Sequence, residues 1–291
     1  MKILGMANAV IGDIIMSLPM LTYFEKKYNG SYKNFLIEKK CSQAAPLFFN
    51  HPLIDRIKIT DNWDSFGPND LELADQCDIV ISNKPKNTSE LWYNHNSCVI
   101  ETAAMRGITD IQDVLTEDEL FPKLYKWFDV GLPDVHSTYS KSGSGDKKYD
   151  NVISIWPFAG SPGRSPSKEW WQTCIGELIG NGYDVFHFGM PSDPRLRDSK
   201  NYYTFPHISY FEQVKAALAT KLSIGTDSGA MWVMGAYSHP AINLMTNWLP
   251  NHNSNLLALE PKNKNGTTLY AKDSCDSISI VDVLSRIKTT L

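Results

Sequence analysis

The sequence has no long hydrophobic run and no cysteine pattern typical of a metal site. None of its apolar stretches approaches the roughly 20 uninterrupted apolar residues that a membrane-spanning helix needs. The chain opens directly on a strand-like run, Met1-Lys2-Ile3-Leu4-Gly5, so we expect no secretory signal peptide. Its five cysteines are scattered and include no Cys-x-x-Cys pair. These features predict a cytosolic protein with reduced thiols and without a membrane span.

Motifs that mark several common enzyme classes are also absent. There is no Gly-x-Gly-x-x-Gly and no P-loop, which argues against dinucleotide oxidoreductases and P-loop NTPases. No Asp-x-Asp pair of the kind that holds a metal-bound diphosphate is present, and the histidines form no ligand-spaced cluster. We therefore expect no metal and no bound cofactor. The net charge of −4 argues against a general nucleic-acid-binding protein.

The length and composition of the chain are those of a two-domain globular protein. It has 291 residues, of which 42% are hydrophobic and 21% charged. A Gly/Ser-rich polar segment at 140–148 lies near the middle and predicts a flexible linker. We therefore expect one domain at 1–145 and a second at 146–291, and the last helix could pack back on the first domain.

Short apolar runs alternate with amphipathic runs in both halves, which predicts α/β domains with parallel sheets. Pro19, inside the first amphipathic run, predicts a kink or a late helix start. Ser209 and Glu212 have the spacing of a capping box. The predicted strands are 2–7, 34–38, 54–59, 77–82, 152–156, 184–188, 222–226 and 241–245. The predicted helices are 14–28, 117–128, 171–179, 211–218, 231–237 and 280–287.

Gly12 and Asp13 lie between the first predicted strand and the first predicted helix. This is the carboxyl edge of the sheet, where α/β proteins place ligands. Asp13 there could act as a general base that takes a proton from an attacking hydroxyl. Asp is also a common N-cap residue, and spacing alone favours that second interpretation.

A loop rich in hydroxyl groups and cations follows the predicted strand that ends at Trp156. It contains Ser161, Arg164 and Lys168 and leads into a helix. Hydroxyl and backbone N–H groups can donate to a diphosphate while Arg164 or Lys168 balances its charge. A solvated loop with ordinary helix capping by Ser167 explains the same residues equally well.

The most informative stretch is an apolar run at 222–226 that breaks into the turn Asp227-Ser228-Gly229-Ala230 and opens a helix at Met231. A strand that ends in such a turn presents backbone N–H groups and the positive end of a helix dipole, which suits a phosphate. Gly229 would allow a ligand close to the backbone. The alternative is ordinary capping by Asp227 or Ser228. Trp232 and Met234, further along, are expected to pack in the core.

In order and spacing, these elements resemble glycosyltransferase family 9, the group of the ADP-heptose:lipopolysaccharide heptosyltransferases. The likeness covers nearly the whole chain, although each motif alone is weak. The three segments that carry it are Gly-Asp…Pro-x-Leu at 12–21, the loop at 157–161 with Lys-x-Trp at 168–170, and Asp227-Ser228-Gly229 with Gly235 and Pro240 downstream.

The resemblance implies a GT-B architecture, with two Rossmann-like domains whose parallel sheets face each other across a cleft. It implies an inverting, metal-independent transfer of a sugar from a nucleotide-diphosphate donor to an acceptor hydroxyl, with a glycan or lipopolysaccharide-like acceptor. The donor would bind to the second domain and the acceptor mainly to the first. By the same resemblance, Asp13 matches the base, Lys168 a cation near the donor phosphates, and Ser228 and Gly229 the backbone phosphate cradle.

The chain departs from the family pattern beside the last motif. Trp232 stands where members usually carry a histidine, and Ala230 replaces a common proline, so the donor sugar stays open. Three other functions also stay open. One is the same chemistry on a modified nucleic-acid base, which the acidic net charge disfavours. Another is a sugar-nucleotide epimerase, which would need further acid/base carboxylates. The third is a non-catalytic nucleotide-sugar-binding protein.

Overall fold

The computed structural model describes residues 1–7, 11–61, 76–82, 135, 139, 149–160, 163–246 and 263–290. The chain divides into two compact units, Met1–Asp129 with Leu257–Leu259 and Val130–Leu256 with Glu260–Leu291. The predicted helix at 117–128 and the predicted linker at 140–148 lie outside the described residues. The bounds of the two domains, 1–145 and 146–291, therefore stay a prediction.

The described part of the first unit is a parallel sheet with a helix after its first strand. Its strands run in the order β3-β2-β1-β4, and every neighbouring pair is parallel. The core holds Leu4 and Phe35 from the sheet and Ile14, Leu18 and Leu21 from the helix. The elements are β1 (Lys2–Ala7), α1 (Ile11–Lys27), β2 (Tyr32–Glu38), a 3₁₀ helix (Lys39–Phe48), β3 (Arg56–Thr60) and β4 (Ile79–Ser82).

Helix α1 begins earlier than the sequence predicts. It starts at Ile11 and continues through Pro19, so the predicted late start is wrong. The apolar stripe of this helix begins before the proline, at Ile14 and Ile15, and these side chains are buried. Their burial offsets the cost of the backbone hydrogen bond that the proline cannot donate.

The second unit is a six-stranded parallel sheet in the order β10-β9-β8-β5-β6-β7. Numbered along this unit, the order is 3-2-1-4-5-6, which is the dinucleotide-binding Rossmann arrangement. Its strands are β5 (Tyr149–Trp156), β6 (Asp184–His187), β7 (Tyr202–Thr204), β8 (Thr220–Thr226), β9 (Ala241–Thr246) and β10 (Gly266–Ala271). Its helices are α2 (Lys168–Gly180), α3 (Tyr210–Leu218), α4 (Gly229–Ala236), a 3₁₀ helix (Cys275–Ser277) and α5 (Ile280–Thr290).

Local signals and an apolar core both explain these elements. Ser209 and Glu212 form the predicted capping box at the start of α3. Trp171 of α2 and Val283 of α5 pack in one core with strand residues such as Ile224. The buried side chains of α5 thus pack in the core of its own unit, and the packing of this helix on the first domain stays a prediction. The sequence pattern does not indicate β7, which has three residues, or β10, a partly exposed edge strand.

Candidate nucleotide-binding site

The strand order of the second unit reverses between β5 and β8, and the predicted site residues follow these two strands. Trp156, the last residue of β5, pairs in register with Gly225 of β8. The loops that leave the two strands therefore start side by side at the carboxyl edge of the sheet. In open α/β sheets this reversal point is where ligands bind.

The turn after β8 leaves the first helix N–H groups of α4 without a side-chain cap. Ser228 occupies the N-cap position with extended backbone, and its side chain accepts no helix N–H. Its carbonyl accepts from the amides of Met231 and Trp232. The earlier amides, those of Gly229 and Ala230, belong to the helix turn whose N–H groups have no intrahelical partner. The capping interpretation of Ser228 is therefore wrong for its side chain.

Two buried hydroxyl groups flank this turn. Thr226 Oγ1 and Ser228 Oγ have no hydrogen-bond partner among the described residues. A buried hydroxyl without a partner is costly, and in native structures such groups are commonly satisfied by water or by a ligand. The turn thus offers unused polar groups beside the helix N-terminus.

Gly225 brings α4 close to the two strands. A Cβ atom at this position would lie 2.5 Å from Met231 Sδ and 3.0 Å from Trp156 Cβ. Only glycine fits such an approach without rearrangement. Trp232 and Met234 are buried in α4, as predicted from the sequence.

Arg164 and Asp227 link the loop after β5 to the turn after β8. The Arg164 Nη1 atom lies 3.6 Å from Asp227 Oδ2, and the two side chains are 24% and 10% exposed. The structure thus brings together two residues that belong to separate predicted phosphate-binding motifs. The ion pair between Asp227 and Arg164 of the neighbouring loop is a tertiary contact that the sequence does not indicate.

The rest of the loop after β5 is held by short-range hydrogen bonds. Ser165 Oγ accepts from the amide of Ala159 at 2.8 Å, and Ser167 caps α2 by accepting from the amide of Trp170. Lys168 is the first residue of α2, and its exposed side chain forms no ion pair or hydrogen bond with another described residue. Ser161 lies outside the described residues, so its proposed role stays a prediction.

The 3₁₀ helix near the C-terminus adds contacts that no pattern in the sequence indicates. Cys275 Sγ donates to the carbonyl of Arg164 at 3.4 Å, and Asp276 Oδ1 accepts from the amide of Ser167 at 2.6 Å. Burial raises the pKa of Cys275 to about 12, and the carboxylates of Asp276 and Asp227 contribute further. The thiol therefore stays protonated near neutral pH and can donate. These partners lie more than 100 residues apart, so no local pattern could reveal them.

The predicted acceptor-side residues, Gly12 and Asp13, lie in the first turn of α1 in the first unit. Gly12 was predicted on a loop, but it is the buried second residue of α1, because the helix begins at Ile11. Asp13 is the third residue of α1 and therefore is not the N-cap residue. Its side chain lies outside the part of the chain that the structure describes, so its role as a base stays a prediction.

No metal site and no membrane-spanning helix occur among the described residues. No group of three or more His, Cys, Asp or Glu side chains there is placed to hold a metal ion. No helix in the described ranges is both long and apolar enough to cross a membrane. Cys41, Cys77, Cys174 and Cys275 are free thiols.

Several solved structures have a similar fold. No protein-family model and no curated protein matches the sequence. E. coli heptosyltransferase WaaC with ADP aligns over 100% of both chains, with a TM-score of 0.69 and 14% identity. A glycosyl transferase of family 9 from Veillonella parvula covers 99% of this chain and 96% of its own, with a TM-score of 0.68 and 15% identity.

An iron-containing heptosyltransferase from E. coli, TibC, is also similar. Its TM-score is 0.54 at 11% identity, over 91% of this chain and 61% of the TibC chain. At these identities the similarity establishes the fold alone. The α/β architecture with parallel sheets, and the resemblance in fold to the heptosyltransferases and glycosyltransferase family 9, are therefore confirmed.

Proposed function

We propose that this protein is an inverting, metal-independent glycosyltransferase that moves a sugar from a nucleotide-diphosphate donor to a saccharide hydroxyl. One observation carries the proposal. At the β5/β8 reversal point, a helix N-terminus without a side-chain cap lies beside the buried Ser228 hydroxyl and the Arg164–Asp227 pair. Uncapped N–H groups, the helix dipole and a guanidinium together suit the diphosphate of such a donor.

The second unit would bind the donor and stabilise the leaving group. The amides of Gly229 and Ala230 would donate to one phosphate, while Arg164 neutralises part of the diphosphate charge. Asp227 pairs with Arg164, so the arginine has less conformational freedom to lose on binding. Lys168, exposed at the start of α2, and Ser161 are proposed as further donors to the diphosphate.

The transfer itself needs a base on the acceptor, and we assign this role to Asp13. The acceptor oxygen attacks the anomeric carbon as the bond from that carbon to the phosphate oxygen breaks. The bonding electrons leave with the nucleoside diphosphate, and Asp13 takes the acceptor proton. One displacement inverts the anomeric centre, and donors fixed around the diphosphate lower the barrier by stabilising its developing charge.

A donor screen with paired variants tests the proposal. The protein is mixed with ADP-, UDP-, GDP- and TDP-sugars and saccharide acceptors, and nucleoside diphosphate release and donor binding are measured. Asp13→Asn should abolish transfer and leave donor binding intact. Asp282→Asn is the matched control, because Asp282 is the third residue of α5 as Asp13 is of α1.

The outcomes of this screen separate the alternatives. Binding of a donor without turnover of any substrate would indicate a nucleotide-sugar-binding protein, and interconversion of sugars without transfer would indicate an epimerase. No binding of any nucleoside diphosphate or its sugars would refute the transferase and the epimerase together. Transfer that persists in Asp13→Asn would remove Asp13 as the base.

Metal independence needs its own test, because TibC, which has a similar fold, contains iron. We expect turnover to continue in excess EDTA, since backbone N–H groups and Arg164 supply the charge stabilisation. Loss of turnover in EDTA with recovery on adding a metal ion would contradict this part of the proposal.

A further inference from the structure

The segment Ser274–Ile278, which we call the C-terminal clamp, holds the loop that carries Arg164. Three hydrogen bonds join them. The Cys275 thiol donates to the Arg164 carbonyl, the Asp276 carboxylate accepts from the Ser167 amide, and the Ile278 carbonyl accepts from Trp170 Nε1 at 2.9 Å. The clamp therefore fixes the loop at its middle, at the cap of α2 and in the first turn of α2.

The clamp is itself an ordered structure. Ser274 caps the 3₁₀ helix by accepting from the amide of Asp276 at 3.2 Å. Cys275 and Ile278 are 1% and 6% exposed, and both belong to the core beneath β9 and β10. A loop that is hydrogen-bonded to such an element is already ordered in the folded protein, before any ligand binds.

The clamp and Asp227 hold Arg164 from two sides. Cys275 bonds the backbone carbonyl of Arg164, while Asp227 faces its guanidinium. The neighbouring Gly163 has a φ of +82°, so the chain turns sharply just before the arginine. The direction in which Arg164 points thus depends on both contacts.

We propose that the C-terminal clamp positions Arg164 for the donor diphosphate, and that Asp276 is a positioning residue for donor binding. The inference rests on the proposed function. An arginine that is already oriented loses less side-chain and loop entropy on binding, so the affinity for the diphosphate rises. Asp276 contributes through a charge-assisted bond to the Ser167 amide.

The direction in which Asp276→Ala changes the affinity separates this positioning role from a purely electrostatic effect of the Asp276 charge. Asp276 carries a negative charge, so its loss alone would strengthen the binding of an anion. The clamp predicts the opposite, because Asp276→Ala also removes the acceptor of the Ser167 amide. We expect the Kd of Asp276→Ala for ADP, UDP or GDP, whichever the wild type binds, to rise about fivefold to tenfold.

Calorimetric titration with that nucleoside diphosphate tests the proposal, with two further variants. Asp276→Asn keeps an acceptor oxygen without the charge and should recover most of the affinity. Asp273→Ala removes a nearby exposed carboxylate that bonds no loop residue in the described part of the chain, and it should bind at least as tightly as wild type. Melting temperatures are recorded for all variants.

Hydrogen exchange of the Ser167 amide gives a readout that a general loss of stability does not reproduce. In Asp276→Ala this amide should exchange faster while the amides of β8 keep their protection. Tight binding of nucleoside diphosphate by Asp276→Ala, equal to that of Asp273→Ala, would overturn the clamp and leave the proposed function standing. A wild-type protein that binds no nucleoside diphosphate would overturn both.

Discussion

The guanidinium of Arg164 lies 3.6 Å from the carboxylate of Asp227, and this ion pair joins the two loops at the reversal point of the second sheet. Each residue alone has an ordinary explanation on a surface loop or at a helix start. Their pairing beside a helix N-terminus that lacks a side-chain cap gives the site both an oriented cation and unused N–H groups.

Removal of the Arg164 guanidinium should weaken the binding of nucleoside diphosphate. We expect Arg164→Gln to raise the Kd by about tenfold or more, since a charge-assisted contact to a phosphate is worth roughly 1.5–3 kcal/mol. Isothermal titration measures the effect. Arg286→Gln, which removes an exposed arginine of α5, is the control and should bind as the wild type does. Equal affinities of the two variants would exclude Arg164 from the site.

Gly225 should not tolerate a side chain. The Cβ atom of Gly225→Ala would lie 2.5 Å from Met231 Sδ and 3.0 Å from Trp156 Cβ, and overpacking of this kind costs about 1–3 kcal/mol. Gly180→Ala is the matched control, because a Cβ atom there meets nothing within 4 Å and alanine favours the helix. Thermal unfolding should show a lower Tm for the first variant and an equal or higher Tm for the second. The same shift in both would contradict the described packing of α4.

The capping box of α3 should contribute to stability. Ser209 Oγ accepts from the amide of Glu212, and the Glu212 carboxylate accepts from the amide of Ser209. Ser209→Ala should lower the free energy of unfolding by about 1 kcal/mol, as is typical for the loss of an N-cap. Urea unfolding measures this, and Ser277→Ala, at an exposed position that caps no helix, serves as the comparison. An unchanged free energy of unfolding in Ser209→Ala would show that the cap contributes nothing.

The protein should lose stability as the pH falls below about 6.5. Burial lowers the pKa of His187 to about 4, with a smaller effect of Arg195, and burial lowers the pKa of His239 to about 4. The unfolded chain therefore binds protons between pH 6.5 and 4 that the folded chain does not, and these two residues stabilise the fold fully only above that range. The expected loss between pH 7.5 and pH 5 is about 2 kcal/mol for each histidine.

Urea unfolding across this pH range tests the effect. His187→Gln and His239→Gln should each show a shallower decline of the free energy of unfolding than the wild type. His207→Gln removes an exposed histidine and should keep the wild-type slope. A slope that none of the substitutions changes would mean that the loss of stability comes from other groups.

The sequence predicts those parts of the site that depend on neighbouring residues. The strand, the Asp227-Ser228-Gly229 turn and the following helix were predictable because apolar pattern and turn residues act over a few positions. Likewise, Ser209 and Glu212 identified the start of α3. The pattern does not indicate the start of α1, because Asp13 suggests a helix boundary, whereas the helix already begins at Ile11.

The rest depends on tertiary contacts, which a single sequence does not display. The fold, and not any local pattern, brings Arg164 to Asp227 and places Cys275 and Asp276 under the same loop. The close approach that requires Gly225 is also a property of α4 lying on β8, so the glycine alone did not indicate it.

A crystal structure with a bound nucleoside diphosphate would show whether the N-terminus of α4 and Arg164 hold the phosphates. We expect phosphate oxygens within about 3 Å of the amide nitrogens of Gly229 and Ala230, and a phosphate beside the Arg164 guanidinium. The nucleotide should thus lie at the carboxyl ends of β5 and β8. A nucleotide bound anywhere else on the chain, with the N-terminus of α4 unliganded, would contradict it.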